Sequence, residues 1–287
     1  MKILGVSLGT KNGNNDTMCR VALEAAKEKG AEIEFIHLLD WDIQYCSGCV
    51  ACSRGLVMGK GMICSRQDDF KAFYEKVVEA DGVLFVDPIF ESGATGLYHS
   101  ITDRMGPGHD TGMMKMLDGK LKEAGKEGLN PRYFRQKALS FVGIGGSDWA
   151  VRCETDHAMF ALSPGWKVVN NEFFSWCKDV IMQDDKVERM KEIGRNLADA
   201  AQQIIDEDMQ IEGSEKTSLW KGKEGACPHC QGNNFYIYPG TTHCVCELCG
   251  LEGTLEIVDG AFKFKYDPAT EHHAHDILSG KFLHGQD

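Results

Sequence analysis

The chain opens on a short apolar run, Lys2 to Ser7, which reads as a buried strand. It breaks into a polar stretch, Ser7-Leu-Gly-Thr-Lys-Asn-Gly-Asn-Asn-Asp-Thr17. Met18, Val21, Ala22, Ala25 and Ala26 then recur at helical spacing and give one buried face. Glu32 to Leu38 alternates and follows Lys29-Gly30, which predicts a second strand. Phe70, Phe73, Val77 and Val78 mark the apolar side of a helix begun by Asp68-Asp69. Val83 to Val86 does not alternate, as a strand covered on both faces requires. A helix through Ile101 to Arg104 leads into a Gly- and Met-rich segment, 105–130, with helix expected from Met113 to Glu123. Lys137 to Val142 and Trp166 to Val169 are the fourth and fifth strands, with a helix to about Leu162 between them. Residues 183–209 form a helix whose stripe is Val187, Met190, Ile193, Leu197, Ala201 and Ile204, suited to core or dimer contact.

Five strands alternating with helices predict a doubly wound parallel α/β sheet. The loops after strands one, three and four all leave its carboxyl edge, where such folds bind ligands. The first loop, polar and running into a helix, suits a phosphate, but it matches neither the dinucleotide nor the P-loop pattern. Asn or Asp in it can equally cap the helix.

The 287 residues carry a net charge of −12, which argues against nucleic acid or an anionic membrane as the main partner. No apolar run approaches a membrane span, and Met1-Lys-Ile-Leu-Gly-Val-Ser lacks a signal-peptide region. Nine of the twelve Cys fall in two clusters with metal spacing. That points to a reducing cytoplasm and metal ligation rather than disulfides. Cys19, Cys153 and Cys177 read as small core residues.

The first cluster is Cys46, Cys49, Cys52 and Cys64, spaced C-x2-C-x2-C-x11-C. Gly48 permits the tight turn that brings sulfurs inward. Four thiolates in this run suit a [4Fe–4S] cluster, with zinc or metal-free thiols as alternatives. The intervening insert, Ser53 to Ile63, is rich in Gly and Met.

Residues 1 to about 205 resemble the flavodoxin-like FMN reductases, and specifically the iron–sulfur flavoproteins. The resemblance rests on Gly13-Asn14-Asn15, the Cys46/Cys49/Cys52/Cys64 set with Asp68-Asp69, Ala80-Asp81-Gly82, Pro88-Ile-Phe90 with Thr95-Gly96, and Thr102-Asp103-Arg104. It implies a flavodoxin-like five-stranded sheet in the order 2-1-3-4-5. It also implies FMN, with the phosphate on Ser7, Gly9, Thr10, Lys11, Asn14, Asn15 and Thr17. The isoalloxazine would lie between Pro88, Ile89, Phe90, Glu91, Ser92 and Gly145, Gly146, Ser147. In the family the cluster relays electrons to or from the flavin, and homo-oligomers, dimer or tetramer, are usual. Gly9-Thr10-Lys11 stands where the family has Ser-Pro-Arg, His99 replaces a usual Lys, and the last cysteine gap is longer than usual.

After Gly213-Ser214 the composition changes. Cys227, Cys230, Cys246 and Cys249 give C-x2-C-x15-C-x2-C, a strong zinc pattern of two knuckles. With the β-prone runs Asn234–Tyr238, Thr254–Val258 and Ala261–Tyr266 it reads as a zinc ribbon held by metal. Structural zinc is preferred, with iron as the alternative. The domain reading is 1–209 for the FMN unit with its cysteine loop at 46–64, 210–223 for a linker, 224–266 for the ribbon and 267–287 for a His-rich tail. That tail can bind a metal or close over a neighbour's active site.

The expected function is an NAD(P)H- or ferredoxin-linked FMN reductase passing electrons through a [4Fe–4S] cluster to a small organic acceptor. His99 and His157 are the candidate proton donors, with His109 behind them. A carrier between protein partners and a thiol or metal redox sensor are the competing readings.

Overall fold

The computed structural model describes residues 1–58, 64–106 and 108–284. The end of the Ser53–Ile63 insert, from residue 59, lies outside them.

β1 (Lys2–Ser7), β2 (Glu32–His37), β3 (Gly82–Pro88), β4 (Ala138–Ile144) and β5 (Lys167–Phe174) form one parallel sheet. Its order is β2-β1-β3-β4-β5, as the resemblance implied. β1, β3 and β4 are buried almost throughout, so both faces must be covered. On one face lie α1 (Asn14–Glu28) and α7 (Asp184–Asp206), which bring Met18, Leu23, Met190, Ile193 and Leu197 onto Ile3, Leu84 and Val142. The stripe of α7 is therefore core. On the other lie α3 (Phe70–Glu79), α4 (Gly96–Met105) and α6 (Cys153–Leu162). Phe85 is the hub there: it stacks on Phe141 at 5.6 Å and meets Tyr98 edge-on at 5.7 Å and Phe160 at 4.8 Å. α5 (Thr111–Glu123) is the helix expected in the Gly/Met segment.

β5 extends to Phe174 rather than Val169. Its polar second half looks like loop in the sequence but is consumed locally. Asn171 Nδ2 donates to the Glu154 carbonyl at 2.7 Å, and Glu172 pairs with Arg189. The longer strand carries a further loop, Ser175 to Asp179, to the carboxyl edge. The stretch read as a linker also runs along the sheet: Lys221 N–H donates to the Val169 carbonyl at 2.7 Å.

The C-terminal unit is an antiparallel sheet of β6 (Phe235–Ile237), β7 (His243–Cys246), β8 (Glu252–Val258) and β9 (Ala261–Tyr266), in that order. β7 went unread because its alternation was taken up by the cysteine spacing. The unit's small core includes Cys227, Cys246, Leu248, Cys249 and Leu251, together with Ala158 of α6. The His-rich segment is not a loose tail in the described residues. Ala274 is buried, and the His275 N–H donates to the Cys249 carbonyl at 2.8 Å. α8 (Leu278–His284) packs on α5, with Lys281 buried and its Nζ bonded to the Leu162 carbonyl.

α1 and α7 cross where a side chain has no room. A Cβ on Gly194 would lie 2.1 Å from the Ala22 carbonyl oxygen. Gly194→Ala raises helix propensity yet is expected to destabilise by about 1–3 kcal/mol, because backbone cannot yield as a side-chain tip can. Urea unfolding of the two proteins checks this; equal or greater stability of the variant would refute the close packing.

Candidate functional site

The polar loop after β1 closes around Asp16, which sequence reasoning did not single out. Asp16 is buried; its Oδ1 accepts the Ser7 hydroxyl at 2.5 Å and its Oδ2 the Asn12 N–H at 2.7 Å. Ser7 is thus engaged inside the loop rather than offered to a ligand. His37 lies beside this pair, its Nε2 3.0 Å from the Gly9 carbonyl oxygen and 3.7 Å from Asp16 Oδ1. Lys11 turns outward to Asp40 at 2.7 Å. Asn14 clamps the loop after β5: its Nδ2 donates to the Cys177 carbonyl at 2.8 Å, and its Oδ1 accepts the Val180 N–H at 3.4 Å. Thr17 Oγ1 donates back to the Gly13 carbonyl, and Thr10 is exposed.

Two features of this loop still suit an anion. α1 begins after Gly13, which supplies no side-chain cap, so its first-turn N–H groups face the loop. Asn15 is buried against Gly9, and its Nδ2 has no hydrogen-bond partner among the described residues. These donors fit the phosphate of FMN; Ser7, Lys11 and Asn14 have other partners.

The loop after β3 is a tight reversal. Phe90 and Gly93 exchange N–H···O bonds of 3.2 and 3.0 Å around Glu91 and Ser92, both left-handed at φ 47° and 65°. Two successive non-glycine residues in that region store strain and need external supports. α6 supplies them. The Arg152 N–H donates to the Ser92 carbonyl at 3.0 Å, and Asp156 Oδ2 accepts the Ala94 N–H at 3.0 Å. Ile89 is tied to β4 through the Ile144 carbonyl. Gly145 joins β5: its N–H donates to Phe174, and its carbonyl accepts from Cys177. Gly146 is open, and Ser147 Oγ accepts the Trp149 N–H at 3.3 Å.

Around this edge stand large exposed rings: Phe90 at 66 %, Trp149 at 59 % and Trp176 at 63 %. Trp176 is left-handed at φ 59°. Exposed aromatics on three loops that leave the same sheet edge suit a planar ligand or a partner surface. Trp176 was missed because its loop was placed after a strand read too short.

The histidines separate. His99 is half-exposed beside Asp156, with 3.8 Å between Nε2 and Oδ2. His157 is fully buried under the edge and cannot touch a substrate. His109 is buried elsewhere, bonded to Tyr74 at 2.6 Å, and burial pushes its pKa down to about 3.

In the cysteine loop, Cys46 and Cys49 are exposed while Cys52 and Cys64 are half-buried. Cys49 begins the turn into α2 (Ala51–Val57), and the Ser65 hydroxyl beside it lowers its thiol to about 7. Arg104 anchors the loop. Its guanidinium pairs with Asp68, donates to the Gln44 carbonyl at 3.0 Å and to Cys64 Sγ at 3.3 Å, and lies over the Phe70 ring. An all-thiol set on one segment has the donor chemistry of an iron–sulfur cluster.

Among the described residues, the group compact enough for a single ion is Cys227, Cys230, Cys246 and Cys249. Cys227 and Cys249 sulfurs are 3.7 Å apart, and Cys230 and Cys246 sulfurs 3.5 Å. A tetrahedron with bonds of about 2.3 Å has edges of about 3.8 Å, so the set fits zinc, and iron equally by distance. Cys244 is buried but outside the group.

The family model described as NADPH-dependent FMN reductase matches residues 1–179, and the chain belongs to that family. A solved structure described as a flavone reductase is 41 % identical, covers 100 % of this chain and 88 % of its own, and has a TM-score of 0.85. A flavone synthase of Aspergillus candidus is 28 % identical, over 100 % of this chain and 88 % of that protein. An iron–sulfur flavoprotein of Archaeoglobus fulgidus is 29 % identical over 52 % of this chain and 64 % of its own. One of Methanocaldococcus jannaschii is 34 % identical over 37 % and 53 %. The chain therefore spans between about half and two-thirds of those two flavoproteins. Among the described residues no helix is long and apolar enough to cross a membrane.

Two outcomes follow from the geometry. Cys246→Ser is expected to abolish any metal that the four-sulfur group binds and to expose the amides of β6–β9 to hydrogen exchange, while β1, β3 and β4 stay protected. Protection retained without metal would show that the strands hold themselves. Arg104 holds the Asp68 carboxyl below its usual range. That stabilisation is complete above the unfolded value of about 3.9 and is lost as pH falls through the lower folded one. Arg104→Gln strands a buried carboxylate, and denaturant titration at neutral pH should show a loss of about 3–5 kcal/mol and a flatter acid limb.

Proposed function

We propose, with membership of the NADPH-dependent FMN reductase family as premise, that this protein is an FMN-dependent oxidoreductase drawing electrons from NAD(P)H. Its acceptor is a planar aromatic compound of the flavone class, reduced at a carbon–carbon double bond conjugated to a carbonyl. The likeness to a flavone reductase over the whole chain, C-terminal unit included, carries this reading. FMN, when bound, supplies hydride transfer. The chain's own residues bind and orient. Asn15 Nδ2 and the first turn of α1 hold the phosphate. Phe90, Trp149 and Trp176 take planar rings and exclude water. His99 is the solvent-reaching imidazole beside the β3 loop and holds the proton that completes reduction. A second copy of the chain covers the exposed rings, giving a homo-oligomer.

A second reading is favoured by the thiol loop. Cys46, Cys49, Cys52 and Cys64 hold a [4Fe–4S] cluster, and single electrons from ferredoxin or NAD(P)H pass between it and the flavin. Both readings keep structural zinc in the C-terminal unit.

Anaerobic purification, the visible spectrum, metal analysis and NAD(P)H-driven turnover of flavones, run on one sample, separate them. Flavin, about one zinc and no iron with flavone turnover supports the first alone. Flavin with about four iron and a broad iron–sulfur absorbance adds the cluster. Absence of bound or bindable flavin refutes both.

A further inference from the structure

Under the β3 loop runs a chain of three fully buried groups, Asp87, His157 and Cys153, that the proposed chemistry does not use. Asp87 sits at the end of β3 and grips the start of α4. Its Oδ1 accepts the Thr95 hydroxyl at 2.7 Å, and its Oδ2 accepts the Thr95 N–H at 2.8 Å. The same Thr95 oxygen caps α4 by accepting the Tyr98 N–H. His157 Nε2 lies 3.2 Å from Asp87 Oδ2. A carboxylate only accepts, so Nε2 is the donor. His157 Nδ1 lies 3.5 Å from Cys153 Sγ, one helical turn back on α6. That sulfur is sealed beneath the edge. A Cβ on Gly143 would come within 2.4 Å of it and 3.1 Å of Ile89.

We propose that Asp87, His157 and Cys153 form a buried positioning unit for the proposed flavin-binding turn, with the His157 ring clamped between the Asp87 carboxyl and the Cys153 sulfur. His157 holds Asp87, Asp87 keeps Thr95 in place, and Thr95 stands two residues beyond Gly93, which closes the strained reversal at Glu91-Ser92. The unit also fixes the His157 ring below the surface on which a planar ligand lies. The groups facing the imidazole are Asp87 from β3, Cys153 and Glu154 on its own helix, and Tyr98 from α4, whose hydroxyl donates to the His157 carbonyl at 2.5 Å. Burial opposes charge on the ring, but Cys153 and Asp87 outweigh it and push the value up to about 10. The unit's contribution to stability is therefore full below the unfolded value of about 6.5 and is lost as pH rises towards the folded one.

Only the ligand arm of the test rests on the FMN reading. The full chain, labelled with 15N-histidine, is followed by NMR with and without FMN from about pH 6 to 9. Both ring nitrogens of His157 are expected to stay protonated throughout. In Cys153→Ala the ring should titrate inside that window. FMN affinity, flat with pH in the parent, should then weaken about tenfold as the proton leaves. Cys153→Ser keeps an acceptor for the Nδ1 proton and should move the profile back towards the parent's; a role in packing alone would not distinguish the two variants. Titration of His157 near its ordinary value in the parent chain, or one protonated nitrogen throughout, overturns the proposal. So does a flat FMN profile in a folded Cys153→Ala protein. If the NMR arm holds and FMN does not bind at all, the unit stands and the flavin reading falls.

Discussion

Burial of the three central strands on both faces is the constraint from which the rest follows. β1, β3 and β4 offer no solvent-facing side, so helices must flank them on each side and every β-to-α connection must leave at one edge. Loops from distant parts of the chain arrive there, among them those after β1, β3, β4 and β5. Their left-handed residues, Asn12, Glu91, Ser92, Trp176 and Asp179, show where the backbone is bent out of its easy conformations. The rigid sheet and α6 hold that strain. An exposed reversal such as Phe90–Gly93 could not keep two left-handed residues without the Arg152 and Asp156 contacts behind it.

Two acid–base pairs join elements below the surface. Asp68 with Arg104 and Asp87 with His157 are each nearly inaccessible, and each joins two elements far apart in sequence. Such pairs add little net stability over apolar residues of the same shape, yet they tolerate no loss of one partner. They fix loops that carry thiols or the proposed ring site, so these two pairs specify geometry. The C-terminal unit solves a different problem. Its sheet has a small core in which four cysteine sulfurs come together. It then docks on α6 through Ala158, the helix that also braces the β3 loop.

Much of this was legible in the residues. Apolar runs without alternation located β3, helical stripes located α1, α3 and α7, and the paired C-x2-C knuckles located the metal group, because each depends on neighbours in sequence. The errors have a common cause. Asn170 to Phe174 fell outside the fifth strand as read from the sequence, but its polar groups meet Glu154 and Arg189, contacts that no local pattern reveals. The first loop was read as a set of donors for phosphate, whereas Asp16 takes Ser7 and Asp40 takes Lys11. The His-rich tail was read as able to bind a metal or close over a neighbour's active site, and its described part is packed against α5 and the four-sulfur unit. His157 and His99 were indistinguishable in sequence; one is sealed and one reaches water.

The sequence by itself determined the fold class, the strand count of the large sheet and the four sulfurs of the compact C-terminal group. These follow from periodicity and short-range spacing, which the chain carries with it. Tertiary structure alone decided which polar groups remain free at the carboxyl edge. Hydrogen bonds are consumed pairwise, and the partner of Asn14 or Arg104 stands tens of residues away or more. Until the chain has folded, nothing tells a donor for a ligand from a donor already spent on its own backbone.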